Sequence, residues 1–331
     1  MSHPTLIHLL LRPLFYSTTM AFLLCRFRKL LALVRMRMRG CSHNIYLLGR
    51  DEEESARAQL DRPNEINSLN TQHRFFVNLS NLIHPSIPKD ITAIADLGTG
   101  TGIWLEDVSK SLPNKSVYLH GFDISSAQFP PGHEIRRPGQ KPISLSIHNV
   151  LHPFPKKHHG KYDLVHIRLL TAGLKKEDYP TVLASARALL RPNGWIQWEE
   201  LDDTAYCTDA IPEPAAITSL RQSLRDAMLK LGMWPFATQL VYDEISADGF
   251  ADVVRETYTT LGKDHLRATA QRWVAGSMRA LVPASMVVTG EAKDEDEARE
   301  IVEELIGQFE AHCQSARALV NLGRTVGRRV D

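Results

Sequence analysis

The chain has 331 residues, 39 Lys and Arg against 38 Asp and Glu, and 43% hydrophobic residues. This length allows one large domain or two modest ones, and the composition excludes wholesale disorder, a collagen-like repeat and a multi-span membrane protein. The net charge of +1 conceals a split, because residues 1–49 hold seven of the basic residues and none of the acidic ones, which leaves a mildly acidic body with 32 basic against 38 acidic residues.

The first 45 residues form a basic, apolar leader that we separate from the body before considering the fold. Its longest uncharged stretch runs from Pro13 to Cys25. That stretch is too short for a stable transmembrane helix, which needs about 20 apolar residues. An acid-free, Arg-rich segment is typical of a mitochondrial presequence or of peripheral membrane contact, and equally of a disordered extension. We expect the body to lie in the cytoplasm unless the leader directs it elsewhere.

From residue 51 onward, predicted strands alternate with predicted helices. Residues 51–60 are polar and helix-prone, and Asn70–Ile83 has helical spacing of apolar side chains. Pro85 and Pro88 end the second segment. Strands are predicted at Ile91–Leu97, Val117–Asp123, Ile143–Asn149, Tyr162–Arg168 and Trp195–Leu201, with helices at Ile103–Leu112 and Tyr179–Leu190. Such alternation indicates βαβ units and a largely parallel sheet.

After residue 201 the pattern becomes mostly helical. Helices are predicted at Ala215–Leu231, Ala237–Asp248, His265–Val282 and Asp294–Ala318, and two further strands at Ala251–Thr259 and Val320–Val326. The sequence therefore predicts one α/β sandwich with additional helices that could cover it.

The most informative string is IADLGTGTGIW, residues 94–104, which follows a predicted strand and precedes a predicted helix. Its glycines let the backbone turn tightly and approach a ligand. Ile103 occupies the third glycine position of the dinucleotide-binding fingerprint, so the match to that fingerprint is incomplete. Asp96 precedes the turn, where a carboxylate suits a cationic ligand better than a pyrophosphate. Asp123 ends the next strand, where it can accept hydrogen bonds from both hydroxyls of a ribose.

This combination resembles the class I S-adenosylmethionine-dependent methyltransferases. More narrowly, it is similar to the fungal small-molecule methyltransferases of secondary metabolism, a group that includes the gliotoxin bis-thiomethyltransferase and relatives of a methyltransferase-like regulator. The strings that carry the resemblance are LNTQHR (69–74), ADLGTGTGIW (95–104), GFDISSAQFP (121–130), GKYDLVHIRLL (160–170) and LRPNGWIQWEE (190–200). It runs from about Tyr46 to the C-terminus.

The resemblance implies a Rossmann-like, mostly parallel seven-stranded sheet with helices on both faces. Within one methyltransferase domain, residues 46–331, we expect an N-terminal helical cap (46–90), a cofactor-binding core (91–201), and lid helices with the last strands (202–331). S-adenosyl-L-methionine is the implied cofactor.

The resemblance also implies which residues contact that cofactor: Gln72, Asp96, Gly98, Thr99, Gly100, Gly102, Trp104, Asp123, Ile124, Asn149, Val150 and His166. Asp123 would hold the ribose hydroxyls and Ile124 would pack on the adenine. Asn149 stands where the family usually has an acid, and a carboxamide can still accept from the adenine amino group. Gln72 and His73 would close over the cofactor.

His166, Arg168 and Glu200 are the catalytic candidates that follow from the same resemblance. Methyl transfer from a sulfonium depends mainly on holding the acceptor in line with the methyl group, so little covalent help from the protein is needed. His166 is the candidate base because imidazole is suited to proton transfer near neutral pH. The alternative is that His166 caps its strand through a backbone hydrogen bond.

Two signals for metal binding are weak. Four histidines lie between residues 148 and 159, but in a Pro- and Lys-rich loop without cysteine. The four cysteines (Cys25, Cys41, Cys207 and Cys313) form no C-x-x-C pair. The sequence predicts no metal site and a reduced body.

We therefore predict an enzyme that methylates a thiol, hydroxyl or amine of a small metabolite in fungal secondary metabolism, without a nucleic-acid partner. One alternative is a methyltransferase-fold regulatory protein that acts through protein partners. Another is a nicotinamide-dependent reductase, which Ile103 disfavours.

Overall fold

A computed structural model describes residues 52–330, with side chains from residue 66 onward, so the predictions for the leader lie outside the described residues. The two helices predicted before residue 84 are one helix, α1 (Glu52–Ser80). It ends because Asn81 adopts a left-handed conformation, with φ 64°, and a residue in that conformation terminates helical hydrogen bonding before the two prolines are reached.

The main sheet contains eight strands. The strands in chain order are β1 (Ala93–Leu97), β2 (Tyr118–Asp123), β3 (Glu134–Ile135), β4 (Ile143–Ile147), β5 (Tyr162–Arg168), β6 (Leu190–Glu200), β7 (Cys207–Thr208), β8 (Ala251–Thr259), β9 (Ala318–Leu319) and β10 (Asn321–Arg328). Their order in the main sheet is β3-β4-β2-β1-β5-β6-β10-β8, and β7 pairs with β9 separately. Strands β4, β2, β1, β5 and β6 are parallel to their neighbours within this group, whereas β3, β10 and β8 pair antiparallel.

The mostly parallel α/β architecture is thus confirmed, with one strand more than the resemblance implied. The additional strand is the two-residue β3 at the edge. Six α-helices follow α1 in the described residues: α2 (Ile103–Ser111), α3 (Tyr179–Leu189), α4 (Ala215–Lys230), α5 (Ala237–Ala247), α6 (Arg267–Thr289) and α7 (Glu295–His312).

Two late helices have different ends from those predicted. Helix α6 continues through Pro283 and ends only where Gly290 is left-handed, with φ 89°. Its residues around the proline are buried, so packing offsets the backbone hydrogen bond that proline removes. Helix α7 ends at His312, because the chain then turns and forms β9 against β7.

The apolar core divides between the two faces of the sheet and a helical lid. On β1, Ala93, Ala95 and Leu97 pack into one cluster while Ile94 packs into the other, as the alternation of a strand requires. A third cluster joins the buried face of α1 to α4, α6 and α7. In it Phe75 stacks on Trp273 of α6, with ring centroids 5.8 Å apart. Residues of α1, α4 and α6 line the same cavity as residues at or just after the ends of β1, β2, β4 and β5. The lid therefore stands over the sheet edge where parallel sheets bind ligands.

Candidate active site

A cavity of about 390 Å³ lies between this sheet edge and the lid. Most of the predicted site residues line it: Gln72, Asp96, Gly98, Thr99, Gly100, Trp104, Asp123, Ile124, Asn149, Val150, His166 and Arg168. The structure thus brings together side chains from α1, β1, β2 and β5 and from the segment after β4. We refer to this part as the cofactor end of the cavity.

The glycine turn after β1 is fastened to the end of β2. The amides of Gly98 and Thr99 donate to the carbonyl of Phe122, at 2.8 and 3.0 Å. The amide of Gly100 donates to Asp123 Oδ2 at 2.8 Å. Gly98 and Gly100 have φ 72° and 57°, and a Cβ on Gly98 would lie 2.6 Å from Leu170 Cδ2. Glycine at these positions therefore permits both the turn and the close approach of the loop after β5.

Asp123 and Ile124 form a polar and an apolar contact surface side by side. Asp123 Oδ1 accepts from the amide of Ser125 at 3.1 Å, as Oδ2 does from the amide of Gly100. A carboxylate oxygen can accept more than one hydrogen bond, so a carboxylate that lines the cavity is suited to ligand hydroxyls. Ile124 is 42% exposed although it is a large apolar residue, and it lines the cavity. This pair can bind a hydroxyl-bearing ring beside a flat apolar group.

His166 is held by a carboxylate. Its Nδ1 donates to Asp96 Oδ1 at 2.7 Å, and its ring stacks on Trp104 with centroids 3.6 Å apart. The other oxygen of Asp96 accepts from the hydroxyl of Thr99 at 2.6 Å. His166 Nε2 lies 3.7 Å from Glu199 Oε2. The sequence leaves open whether His166 is a base or caps the strand backbone; in the structure the carboxylate of Asp96 orients its imidazole.

Arg168 links the end of β5 to α1. Its Nη2 donates to His73 Nδ1 at 2.9 Å, and His73 Nε2 donates to Asp107 Oδ2 at 3.1 Å. Because arginine only donates and an ionised carboxylate only accepts, these two contacts fix the tautomer of the neutral imidazole. Burial, together with the charge of Arg168, lowers the pKa of His73 to about 4. His73 is thus neutral near pH 7 and joins three elements.

Two predicted site residues do not line the cavity. Glu200 is buried, and its carboxylate accepts from the amides of Leu170 and Thr171, at 3.0 and 3.1 Å, and from Trp198 Nε1 at 2.8 Å. Burial raises the pKa of Glu200 to about 8. Successive side chains of a strand point to opposite faces, and that of Glu200 points away from the cavity. Its hydrogen bonds instead hold the backbone of the loop after β5 in place. Gly102 is a buried residue before α2 whose Cα faces core side chains of β3 and β4.

The remainder of the cavity, its lid end, was not assigned residue by residue from the sequence. The loop after β5 and the lid helices supply mostly apolar groups there: Leu169–Leu174, Leu201, Tyr206, Leu224, Ala227, Met228, Leu231, Met233, Pro235, Trp273, Ala280 and Leu281, with Ser277 and Ser285. Asp202 and Asp203 also line the cavity. The helical spacing of the apolar residues on α4 and α6 is the signal that could have indicated an inward face.

Three of the four histidines between residues 148 and 159 have hydrogen-bond contacts with uncharged protein groups. His148 Nε2 lies 3.1 Å from the carbonyl of His152, and His159 Nε2 lies 2.8 Å from a backbone carbonyl. His158 Nδ1 lies 2.8 Å from the hydroxyl of Tyr162. Within residues 52–330, no cluster of three or more His, Cys, Asp or Glu side chains has an arrangement suited to a metal ion. In the same part of the chain, no helix combines the length and apolar character needed to span a bilayer.

Comparison with known proteins identifies the family. Residues 40–256 match the family described as methyltransferase domain. Methyltransferase grgD of Penicillium sp. is 36% identical over 199 residues, which are 57% of this chain and 63% of that protein. N-methyltransferase verN of Clonostachys rogersoniana is 26% identical over 266 residues, which cover 77% of this chain and 86% of verN.

The chain is also similar to a protein that is named as a regulator. The secondary metabolism regulator laeA of Aspergillus fumigatus is 28% identical over 188 residues, which are 57% of this chain and 45% of laeA. The matched region thus covers less than two thirds of grgD and less than half of laeA. The family match spans the glycine turn, the ends of β1, β2, β4 and β5, and most of the cavity described above. The chain belongs to the methyltransferase domain family, whose cofactor is S-adenosylmethionine.

Proposed function

We propose that this chain is an S-adenosylmethionine-dependent methyltransferase that methylates a thiol, hydroxyl or amine of a small metabolite in fungal secondary-metabolite biosynthesis. The observation that carries the proposal is that one cavity joins the cofactor end to an apolar lid end. A methyltransferase needs both parts, because the methyl donor and the acceptor must meet within about 3–3.5 Å of each other.

The side chains at the cofactor end suit S-adenosylmethionine. Asp123 would accept from the ribose hydroxyls while it keeps its contact with Gly100, and Ile124 would pack against the adenine. Asn149 lines the same wall, where its carboxamide would bind the adenine edge. Asp96 places a buried carboxylate beside the glycine turn, which favours a ligand with cationic groups. Bound there, the cofactor would supply a methyl group already activated on a sulfonium.

The lid end favours an apolar acceptor. Its lining is mostly aliphatic and aromatic, and no lysine or arginine of the described residues lines it. An acceptor with a carboxylate or phosphate would have to be buried there without a cationic partner, which is costly. Apolar walls also exclude water from the point where the methyl group is transferred.

The two ends meet where β5 stops. Arg168 lines the cofactor end, and the next residue, Leu169, packs against the apolar cluster that joins α1 to α4, α6 and α7. His166 Nδ1 is bonded to Asp96 and its buried Nε2 lies beside the carboxylate of Glu199, so we assign to His166 the orientation of neighbouring groups. Catalysis would then rest on positioning, which suffices for a thiol because a thiol is partly ionised near neutral pH.

Turnover tests the proposal. Purified chain should convert S-adenosylmethionine to S-adenosylhomocysteine in the presence of a suitable member of a panel of apolar thiols, phenols and amines, with the methylated product seen by mass spectrometry. Asp243→Ala, an exposed change on α5, serves as the matched control and should leave turnover unchanged. A chain that binds no S-adenosylmethionine at all would overturn the proposal.

A second candidate function is suggested by the similarity to laeA. In that case the chain would be a regulatory protein of secondary metabolism that acts through protein partners. The two candidates differ in what the lid end does. If no member of a broad metabolite panel is methylated, and deletion of the gene changes the transcription of many others, the regulatory function is supported instead.

A further inference from the structure

We infer that Glu199 and Arg324, acting together on the end of α1, position this helix over the cofactor end of the cavity. The inference rests on the proposed function, because it concerns how cofactor contacts are held in place. The two residues lie on the neighbouring strands β6 and β10, and both are 1% exposed.

Arg324 caps the C-terminal end of α1. Its Nη1 donates to the carbonyl of Ser80 at 2.8 Å, and its Nη2 donates to the carbonyl of Asn81 at 2.8 Å and to the hydroxyl of Ser80 at 3.0 Å. The last carbonyls of a helix have no partner within the helix, and they form the negative end of its dipole. A buried guanidinium therefore satisfies them both as a donor and as a charge.

Glu199 connects this cap to the cavity. Its Oε1 accepts from Arg324 Nε at 2.6 Å. Its Oε2 faces the opposite way, 3.7 Å from His166 Nε2 and 3.9 Å from Arg168 Nη1. Burial disfavours the ionised carboxylate, but Arg324 above all, with His166 and Arg168, outweighs this and lowers the pKa of Glu199 to about 2. Glu199 is therefore a permanent anion between the helix cap and two residues that line the cavity.

A neighbouring glutamine holds the segment that follows α1. Gln197 Nε2 donates to the carbonyl of Leu82 at 2.9 Å, and Gln197 Oε1 accepts from the amide of His84 at 2.9 Å. The same Nε2 lies 3.2 Å from Glu199 Oε1. The chain leaving α1 is thus attached to β6 and β10 over several consecutive residues.

Because α1 is held at its C-terminal end, the positions of its preceding turns over the cavity are also restrained. Gln72 and His73 line the cavity about two turns before Ser80, or about 12 Å along the helix axis. His73 is also bonded to Arg168, so α1 is attached to the sheet at two separate places. Loss of the cap would let the helix shift along or away from the cavity, and the contacts of Gln72 with the cofactor would weaken.

Substitution of the guanidinium tests this directly. Arg324→Gln should weaken S-adenosylhomocysteine binding at least tenfold in calorimetry. It should also speed amide hydrogen exchange in residues 70–80, relative to exchange in β1. Gln72→Ala alone should weaken binding severalfold. Added to Arg324→Gln, it should weaken binding little further, because both substitutions act through the position of α1. Unchanged affinity, unchanged exchange in α1, or fully additive effects would each contradict the inference.

If Arg324→Gln does not fold, two milder substitutions at Asn81 test whether the end of α1 controls cofactor binding. Asn81 is exposed and left-handed, so Asn81→Ala strains the helix end whereas Asn81→Gly keeps its conformation. We expect three- to tenfold weaker binding and faster exchange in α1 for Asn81→Ala, and values within twofold of the original for Asn81→Gly. Equal affinities of the two variants would overturn the inference. Failure of the unaltered chain to bind S-adenosylhomocysteine would instead count against the proposed function.

Discussion

Replacement of Asp123 by alanine removes the side chain to which we assign the ribose hydroxyls. In the structure its two oxygens accept from the amides of Gly100 and Ser125, at 2.8 and 3.1 Å. Asp123→Ala therefore has two consequences. The ligand loses its charged hydrogen-bond acceptor, and the glycine turn loses the contact that fastens it to the end of β2.

The expected loss of affinity follows from these contacts. A hydrogen bond to a charged group contributes about 1.5–3 kcal/mol, and part of this is recovered when water replaces the lost partner. We therefore expect Asp123→Ala to weaken cofactor binding by about 1–3 kcal/mol. Because about 1.4 kcal/mol corresponds to a factor of ten, this is roughly a 5- to 150-fold rise in the dissociation constant.

Isothermal titration calorimetry with S-adenosylhomocysteine measures this change directly. Asp123→Asn keeps one carbonyl oxygen for Gly100, so its affinity should fall between those of the unaltered chain and Asp123→Ala. Asp243→Ala, on the exposed face of α5, should bind normally. A dissociation constant that is the same for Asp123→Ala and for the unaltered chain would refute the ribose assignment, provided that thermal unfolding shows both proteins folded.

Three further predictions concern the turn, the adenine wall and acid stability. Gly100→Val should abolish binding, because a β-branched residue is strained at φ 57°; calorimetry showing normal affinity would mean that the turn does not contact the cofactor. Ile124→Ala should weaken binding by about 1 kcal/mol through lost apolar contact, whereas Ile124→Leu should not; equal dissociation constants for the two would contradict the adenine assignment. Burial lowers the pKa of His120 to about 3 and of His158 to about 4. Below about pH 6.5 the unfolded chain therefore takes up protons that the folded chain does not, and stability should fall between pH 6.5 and 4, by at most about 1.4 kcal/mol per pH unit for each histidine. Urea unfolding with the same midpoint at pH 7 and pH 5 would exclude this.

Much of the fold could be predicted because its signals are local. Strand β5 has the bounds predicted from its apolar run, Tyr162–Arg168, and β8 those predicted at Ala251–Thr259. The ends of the late helices could not be predicted in this way. Pro283 is a signal to stop a helix, but α6 continues seven residues beyond Val282, because its flanking side chains are buried in the lid. Tertiary packing, which is not visible in a local pattern, decided that boundary.

The same distinction applies to the candidate site: some positions could be predicted from chain order, and others depend on tertiary contacts. Asp96 lies near the end of β1, the glycine turn follows that strand, and Asp123 ends β2, so their shared position at one sheet edge could be predicted from order alone. Glu200 also ends a strand, but its side chain bonds to the amides of the loop after β5, and only the pleat and that loop determine its direction. The contact between Arg324 and Ser80 joins residues 244 positions apart, and neither residue has a sequence signal for the other.

The most direct test of the account is to titrate the purified chain with S-adenosylmethionine and, separately, with NADH. Both ligands carry an adenosine whose ribose Asp123 could hold, but the carboxylate Asp96 and the incomplete glycine fingerprint favour the sulfonium over the pyrophosphate. We expect saturable binding of one S-adenosylmethionine per chain and no measurable heat with NADH. Tight binding of NADH, with none of S-adenosylmethionine, would contradict the central claim.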